Sequence, residues 1–355
     1  MDSMQTAFSQ ELVLVHIARY LTRRWARAFI SALSHQACLD KAERQNLVAA
    51  SWDVCLVALG QGATKNDLLL YALRLDEGRC WEMVFDKMPS NVSALVGDGT
   101  SLYALGGNTD SWRFDLGTTK LHALPQRPPQ HGPEAVVMGN RLLVLGGYDA
   151  QDRNHTGIGI LSNRVSAYCP ASVSWISAAS MANARANNFA CAADGARVYV
   201  AGGIGDLGPM RSVEVLNTST RTWKWSSLPK MSKERFQCAG AADRGRFFAI
   251  GGQFDASCEA WNVDVDTNSI DVASTQDPVH NGKSTESRDW GPVPPMPFKD
   301  MWCKAAVAEG QIYVMGRSQA AVFDPFHGQW TPFPAMPGRC VVICTALVPN
   351  QTESS

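Results

Sequence analysis

The residues able to do chemistry in this 355-residue chain are scattered rather than convergent. His122, His131, His155, His280 and His327 share no phase in the sequence, so no pair has metal-ligand spacing. There are ten cysteines, none in a C-x-x-C pair, and the close pair Cys340 and Cys344 has no metal-site partner at the right spacing. Cys191, Cys238, Cys303 and Cys340 each follow a turn at what reads as a like position, so they are expected to be small buried hydrophobes in strands. Glu286 and Asp289 lie three apart with no histidine after them. A nucleophile elbow G-x-S-x-G and a phosphate loop G-x-x-x-x-G-K-[ST] are both absent. The reading therefore assigns no catalytic residue, no metal ligand and no cofactor, and expects binding rather than catalysis.

The elements that position these residues come from a repeat. A short apolar strand ending in glycine recurs, with leading glycines at Gly60, Gly106, Gly146, Gly202, Gly251 and Gly316. The intervals are 46, 40, 56, 49 and 65 residues, and glycine is doubled in the middle four copies. About nine residues before each lies a strand rich in small residues, such as Phe189 to Ala193, separated from it by hairpin chemistry such as Asp194-Gly195. A third strand follows, as in Ser212 to Leu216, and then a tryptophan: Trp81, Trp175, Trp223, Trp290 and Trp330. A proline–methionine turn ends the unit at Met88-Pro89, Pro229 to Met231, Met296-Pro297 and Met336-Pro337.

These features resemble the kelch repeat over roughly residues 53 to 348. The resemblance implies an all-β fold, a six-bladed kelch-type β-propeller over 51–349, with 350–355 a disordered tail. The first copy begins at its second strand, Val54 to Leu59, whereas Arg339 to Leu347 reads as a first strand with nothing after it. The C-terminal strand is thus expected to enter the first blade and close the ring. Two long loops, Tyr148 to Asn163 and Asp266 to Asp289, are irregular, and the second is expected to be poorly ordered.

Residues 1–50 read as a short N-terminal α-helical segment, with apolar spacing through Leu12, Val15, Ile17 and Leu21 and a cap at Ser9. The stretch from Phe8 to Leu21, followed by Arg23-Arg24-Trp25, resembles the opening and end of an F-box, a degenerate one. Its usual proline is replaced by Ser9 or Gln10, and the middle helix is missing. The combination resembles plant F-box/kelch-repeat proteins. It implies an adaptor-binding surface at Leu12, Ile17, Leu21 and Trp25, with a Skp-type adaptor as partner. The alternative is a helical extension packed on the propeller.

Kelch propellers also include enzymes. Copper radical oxidases need two histidines and two tyrosines at the axis, but Tyr103, Tyr199 and Tyr313 lie inside second strands and read as packing residues. Sialate mutarotase-like and iron-dependent specifier-like enzymes are the other options, and the acidic–acidic–histidine spacing of the latter is absent. In kelch binding domains one mouth is built from the loops before each first strand and after each glycine pair. Here those loops offer Asn91, His131, Arg185, Arg235, Lys299 and Arg339, together with Asn108, Tyr148, Ile204, Gln253 and Arg317. Of these, Arg185, Arg235, Arg339, Arg317, Tyr148, Asn108 and Gln253 form the expected partner-binding mouth. Its arginines resemble those of modules that grip acidic peptides.

Two function classes follow. The first is a protein-interaction module, the substrate-recognition subunit of a Skp-cullin-F-box type ubiquitin ligase or a stand-alone kelch scaffold. The second is a channel-sited enzyme acting on a sugar or small molecule. A formal net charge of −1 argues against nucleic acid or membrane as partner. With no apolar run of membrane-span length and no secretory pattern at the N-terminus, the expected location is cytoplasmic or nuclear.

Overall fold

The computed structural model describes residues 52–61, 68–75, 81–90, 92–99, 101–107, 109–116, 118–153, 159–262, 290–334 and 340–349. Among them all regular structure is strand, in six four-stranded antiparallel sheets that are the blades of the fold and two two-stranded ones, Tyr148–Arg153 with Gly159–Leu161 and Ile204–Gly205 with Gly208–Pro209, the first lying in the segment expected to be an irregular loop. The helical segment expected over residues 1–50 and the loop 266–289 lie outside the described residues.

The chain divides into two compact units. One holds the first two blades. Blade 1 runs Cys340–Pro349, Trp52–Gln61, Leu68–Arg74, Glu82–Met88 in spatial order. The strand from the far end of the sequence therefore supplies the first strand of the first blade, as the repeat phase requires. It pairs antiparallel from Trp52↔Pro349 to Gly60↔Cys340. Blade 2 runs Val92–Gly97, Ser101–Gly106, Ser111–Asp115, Lys120–Ala123. The two blades share a core of Val57, Leu59, Leu70, Leu95, Leu102 and Phe114, with Phe85 and Phe114 in ring contact at 4.9 Å.

The other unit holds blades 3 to 6. Their first strands are Glu134–Met138, Ala190–Asp194, Ala239–Asp243 and Lys304–Ala308. Their second strands are Arg141–Leu145, Arg197–Ala201, Arg246–Gly252 and Gln311–Met315. Third strands follow at Val165–Cys169, Val213–Asn217, Asp255–Asn262 and Ala320–Asp324. The second strands are apolar on both faces because each sheet is covered on both sides. Val198, Tyr199, Val200 and Ala201 are all buried, which removes the alternation of a one-sided sheet. The fourth strands lie at the edge and are mostly exposed.

The paired glycines are required by close approach. Gly146, Gly147, Gly202 and Gly203 all have positive φ. A Cβ on Gly146 would stand 2.5 Å from the Arg185 carbonyl oxygen, and one on Gly202 would collide with the Arg235 carbonyl oxygen. The loops leading into blades 4 and 5 thus lie against the first glycine of the blade before each.

The tryptophans act through a hydrogen bond as well as by packing. Trp175, Trp225, Trp290 and Trp330 each donate the indole N–H to a carbonyl of the loop before their own blade: Pro125, Ala179, Pro229 and Pro294, at 2.8 to 2.9 Å. This corrects the sequence phase in blade 4, where Trp225 and not Trp223 is the equivalent residue. Trp223 instead stacks under the Arg141 guanidinium at 5.2 Å. Cys191 is also out of phase. Strand register aligns Cys238 and Cys303 with Phe189, and Cys191 with Gly240. Burial pushes the Cys238 and Cys303 thiols up to about 11 and about 12, so both stay protonated and inert at neutral pH.

Removing Cys340–Pro349 deletes the whole first strand of blade 1 and leaves the Trp52–Gln61 strand with an open edge. The chain ending at residue 338 is expected to melt at least about 10 °C lower than the full chain, whereas removal of 350–355 alone leaves Tm unchanged. Thermal unfolding followed by circular dichroism checks both.

Candidate functional site

In blades 3 to 5 the loops expected to form a mouth are bonded to one another. The loop before a first strand and the loop after the second strand lie at the same end of an antiparallel sheet, and backbone hydrogen bonds knit them together. Tyr148 and His131 exchange N–H and carbonyl at 2.8 and 2.9 Å, and Ala186 and Ile204 do so at 3.1 and 3.0 Å. The Gly203 and Gln253 amides donate to the Arg235 and Phe236 carbonyls at 2.8 and 3.0 Å.

Arg185 and Arg235 do not present their guanidiniums to a partner. They are 0% and 2% exposed. Arg185 donates to Glu214 Oε1 at 2.7 Å, to the Gly202 carbonyl at 2.7 Å, and to the Ser212 carbonyl and Oγ, both at 3.3 Å. Arg235 repeats the pattern one blade on, reaching Glu259 Oε1 at 2.9 Å and the Gly251 and Ser257 carbonyls at 2.7 and 2.8 Å. The second oxygen of each glutamate accepts a backbone N–H of the same lead-in loop, from Ala182 at 2.6 Å and from Ser232 at 2.8 Å. Burial draws the Arg185 guanidinium down from its usual value, and Glu214 opposes that. The reason for the correction is physical. A lead-in loop that crosses the glycines leaves the first glycine's carbonyl facing inward, and the arginine fork satisfies it together with the next strand's carbonyl.

The same position is filled differently elsewhere. In blade 3, Gln130 donates to the Gly146 and Arg164 carbonyls at 2.9 and 3.3 Å, and Ser166 stands where Glu214 and Glu259 stand, bonding Gln130 Oε1 at 3.3 Å. In blade 6 the position is Asp300, whose Oδ2 accepts the Arg317 amide at 2.8 Å. Residue type alone does not separate an arginine that points in from one that points out. The hint lay in the third strands, where Glu214 and Glu259 sit among buried apolar residues.

Of the other expected mouth residues, Gln253, His131 and Lys299 are exposed, while Tyr148, Ile204 and Arg317 are half-buried. Asn91, Asn108 and Arg339, and the adaptor set Leu12, Ile17, Leu21 and Trp25, lie outside the described residues. The sequence reading missed what the loops do offer. Leu207, Phe254 and Trp302 are exposed large apolar residues on loops of this end, and Ile160 is another, in the short strand Gly159–Leu161. A cleft of about 600 Å³ opens beside Leu207, lined by Asp206, Arg211, Lys230 and Glu234. Within blades 3 to 6, Lys304 Nζ meets both carboxylate oxygens of Glu134 at 2.7 and 2.9 Å, joining the starts of two first strands. Among the described residues no group of three or more metal-ligating side chains comes together, and no helix is long and apolar enough to cross a membrane.

Residues 185–232 match the kelch motif. In Arabidopsis thaliana the F-box/kelch-repeat protein At1g67480 is 32% identical over 202 residues, 52% of this chain and 51% of that one. A second, At1g80440, is 33% identical over 138 residues, 36% of each chain. The chain thus matches about half or less of the length of these relatives. A solved structure titled "Structure of YjhT" superposes with a TM-score of 0.58 over 77% of this chain and 97% of that one, at 11% identity, which is a likeness of fold alone.

Two outcomes follow from the buried pairs. Arg185→Ala strands the Glu214 carboxylate and is expected to cost about 3–5 kcal/mol. The double change Arg185→Gln with Glu214→Ser, copying blade 3, costs clearly less; urea unfolding of the two variants decides. Asp255 supplies a pH test. Burial raises its carboxyl, but the Lys233 ammonium at 2.8 Å and the Ser257 amide and hydroxyl outweigh it and bring it down to about 2. The folded value lies below the unfolded one, so this contribution is complete above about pH 4 and fades as pH falls toward 2. The Tm gap between the native chain and Asp255→Asn is expected to be constant from pH 7 to 5 and to close between pH 4 and 2.

Proposed function

Starting from a chain of kelch repeats similar to F-box/kelch-repeat proteins, we propose a protein-interaction module that holds its partner at the loop end of blades 3 to 6. The observation that carries this reading is the exposure of four large apolar side chains at one end, Leu207, Phe254 and Trp302 on loops and Ile160 in a short hairpin strand. Apolar side chains that the fold leaves substantially exposed are what a partner covers, and aromatic anchors dominate such contacts. The finer reading is the substrate-recognition subunit of a Skp-cullin-F-box type ubiquitin ligase. There the segment with Leu12, Ile17, Leu21 and Trp25 docks a Skp-type adaptor and the loop end takes the target. In this reading the chain itself performs no covalent step.

The enzyme reading places a sugar or small molecule in the channel. The bidentate Lys304–Glu134 pair weighs against it, because it spans the starts of two first strands where such a substrate would enter.

Affinity capture of the full chain, of Leu12→Asp/Ile17→Asp and of a chain beginning at residue 46, with a purified Skp-type adaptor supplied as prey, tests the adaptor reading. Retention by the full chain and loss in both altered chains is the expected result. No retention by the full chain overturns the ligase assignment and leaves a stand-alone scaffold.

A further inference from the structure

Resting on the reading of the loop end as a protein-docking surface, we infer that the corner built by the loops of blades 5 and 6 takes an acidic segment carrying a bulky apolar side chain. Phe254 sits on the loop that follows Gly251 and Gly252, and Trp302 on the loop leading into blade 6. The two loops are neighbours, since a Cβ on Gly251 would lie 3.8 Å from Cys303 Sγ. Phe254 is 60% exposed and Trp302 39% exposed. Both also hold the left-handed backbone conformation, with φ of 53° and 61°. At the position of Trp302 in blades 4 and 5 stand Asn188 and Gln237, polar residues with φ of 48° and 53°. A bulky aromatic in that conformation adds strain, and both rings leave a large part of their surface in solvent, which points to a use outside the fold.

The charges at this corner specify the partner. Lys299 is exposed and Arg317 half-buried. Among the described residues neither forms an ion pair, and the Arg317 guanidinium touches Met301 Sδ at 3.4 Å. The nearby carboxylates are already engaged. Asp300 accepts the Met301 and Arg317 amides at 2.8 Å, and Asp255 accepts Lys233 at 2.8 Å and the Ser257 hydroxyl at 2.7 Å. The corner therefore presents two aromatic faces and two cations without an ion pair, beside one carboxylate, Asp300, that is held by backbone amides. A partner that brings carboxylates on either side of an apolar residue satisfies both, and a basic segment satisfies neither.

The test selects random phage-displayed dodecapeptides on the full chain. It then measures one enriched synthetic peptide by fluorescence anisotropy against three double variants: Phe254→Ser/Trp302→Ser, Lys299→Glu/Arg317→Glu and, at the cleft, Leu207→Ser/Arg211→Glu. All altered residues are surface groups, and each variant's Tm is recorded to confirm folding. Enriched peptides are expected to place Asp or Glu beside Phe, Trp or Leu. Each corner variant should bind about tenfold more weakly or worse, and the cleft variant within about twofold of the native chain. Enrichment of basic or uncharged sequences, or native binding by both corner variants, overturns the assignment. If binding instead falls only in the cleft variant, the docking end stands and the corner is wrong. If no peptide is enriched, or none responds to any variant, the docking reading fails together with the corner.

Discussion

A backbone that crosses over paired glycines creates a problem that blades 3 to 5 must solve. The lead-in loop lies so close to the glycines that no Cβ fits beneath the Arg185 carbonyl at Gly146 or the Arg235 carbonyl at Gly202. Once there, it covers the glycine carbonyl and cuts it off from water, and an unmet buried carbonyl is costly. In blades 4 and 5 the answer is a guanidinium that reaches the first glycine's carbonyl and the carbonyl two residues before a glutamate, while that glutamate grips the loop's own amides. The ion pair is thus a clasp between three segments, and its charge is incidental to the carbonyls it satisfies. Blade 3 makes the point, because Gln130 and Ser166 do the same work without charge.

The clasp has a consequence for the surface. It fixes the base of each loop, so the residues beyond it are held at a defined place without contributing to the core. Leu207 and Phe254 project from loops whose bases are bonded through Gly203 to Arg235 and through Gln253 to Phe236. A surface pre-organised in this way loses little entropy when a partner settles on it. Blade 6 departs from the pattern, with Asp300 at the clasp position and Ala321 where the glutamate would be. The Asp300 carboxylate instead caps the loop amides of Met301, Arg317 and Ser318, which frames the Trp302 loop with Arg317 beside it.

Much of the fold was legible in the sequence because the repeat is a backbone requirement. Glycine spacing, hairpin turns and the apolar run between them mark the second strand of every blade, and the missing first strand of blade 1 pointed to the pairing of Trp52–Gln61 with Cys340–Pro349. Phase errors arose where two residues of one type compete. Trp223 and Trp225 are two apart, and only the bond from Trp225 to the Ala179 carbonyl identifies the structural member. Likewise Cys191 matches Cys238 by eye, yet strand register makes it the counterpart of Gly240 in the next blade.

The site was less legible for a related reason. Arginine is the residue of choice both for gripping a partner's carboxylate and for clasping a buried carbonyl, so residue type alone could not distinguish the two. What separates them is the neighbouring strand. A lead-in arginine with a glutamate at a buried third-strand position, such as Glu214 or Glu259, turns inward, whereas in blade 6, where that third-strand position is Ala321, the lead-in position holds Asp300 instead. The same logic explains why the apolar tips were overlooked. Leu207 lies in a glycine-flanked turn and Phe254 in a polar one, contexts that mark loops, and a loop's apolar residue declares itself only when the structure shows nothing covering it.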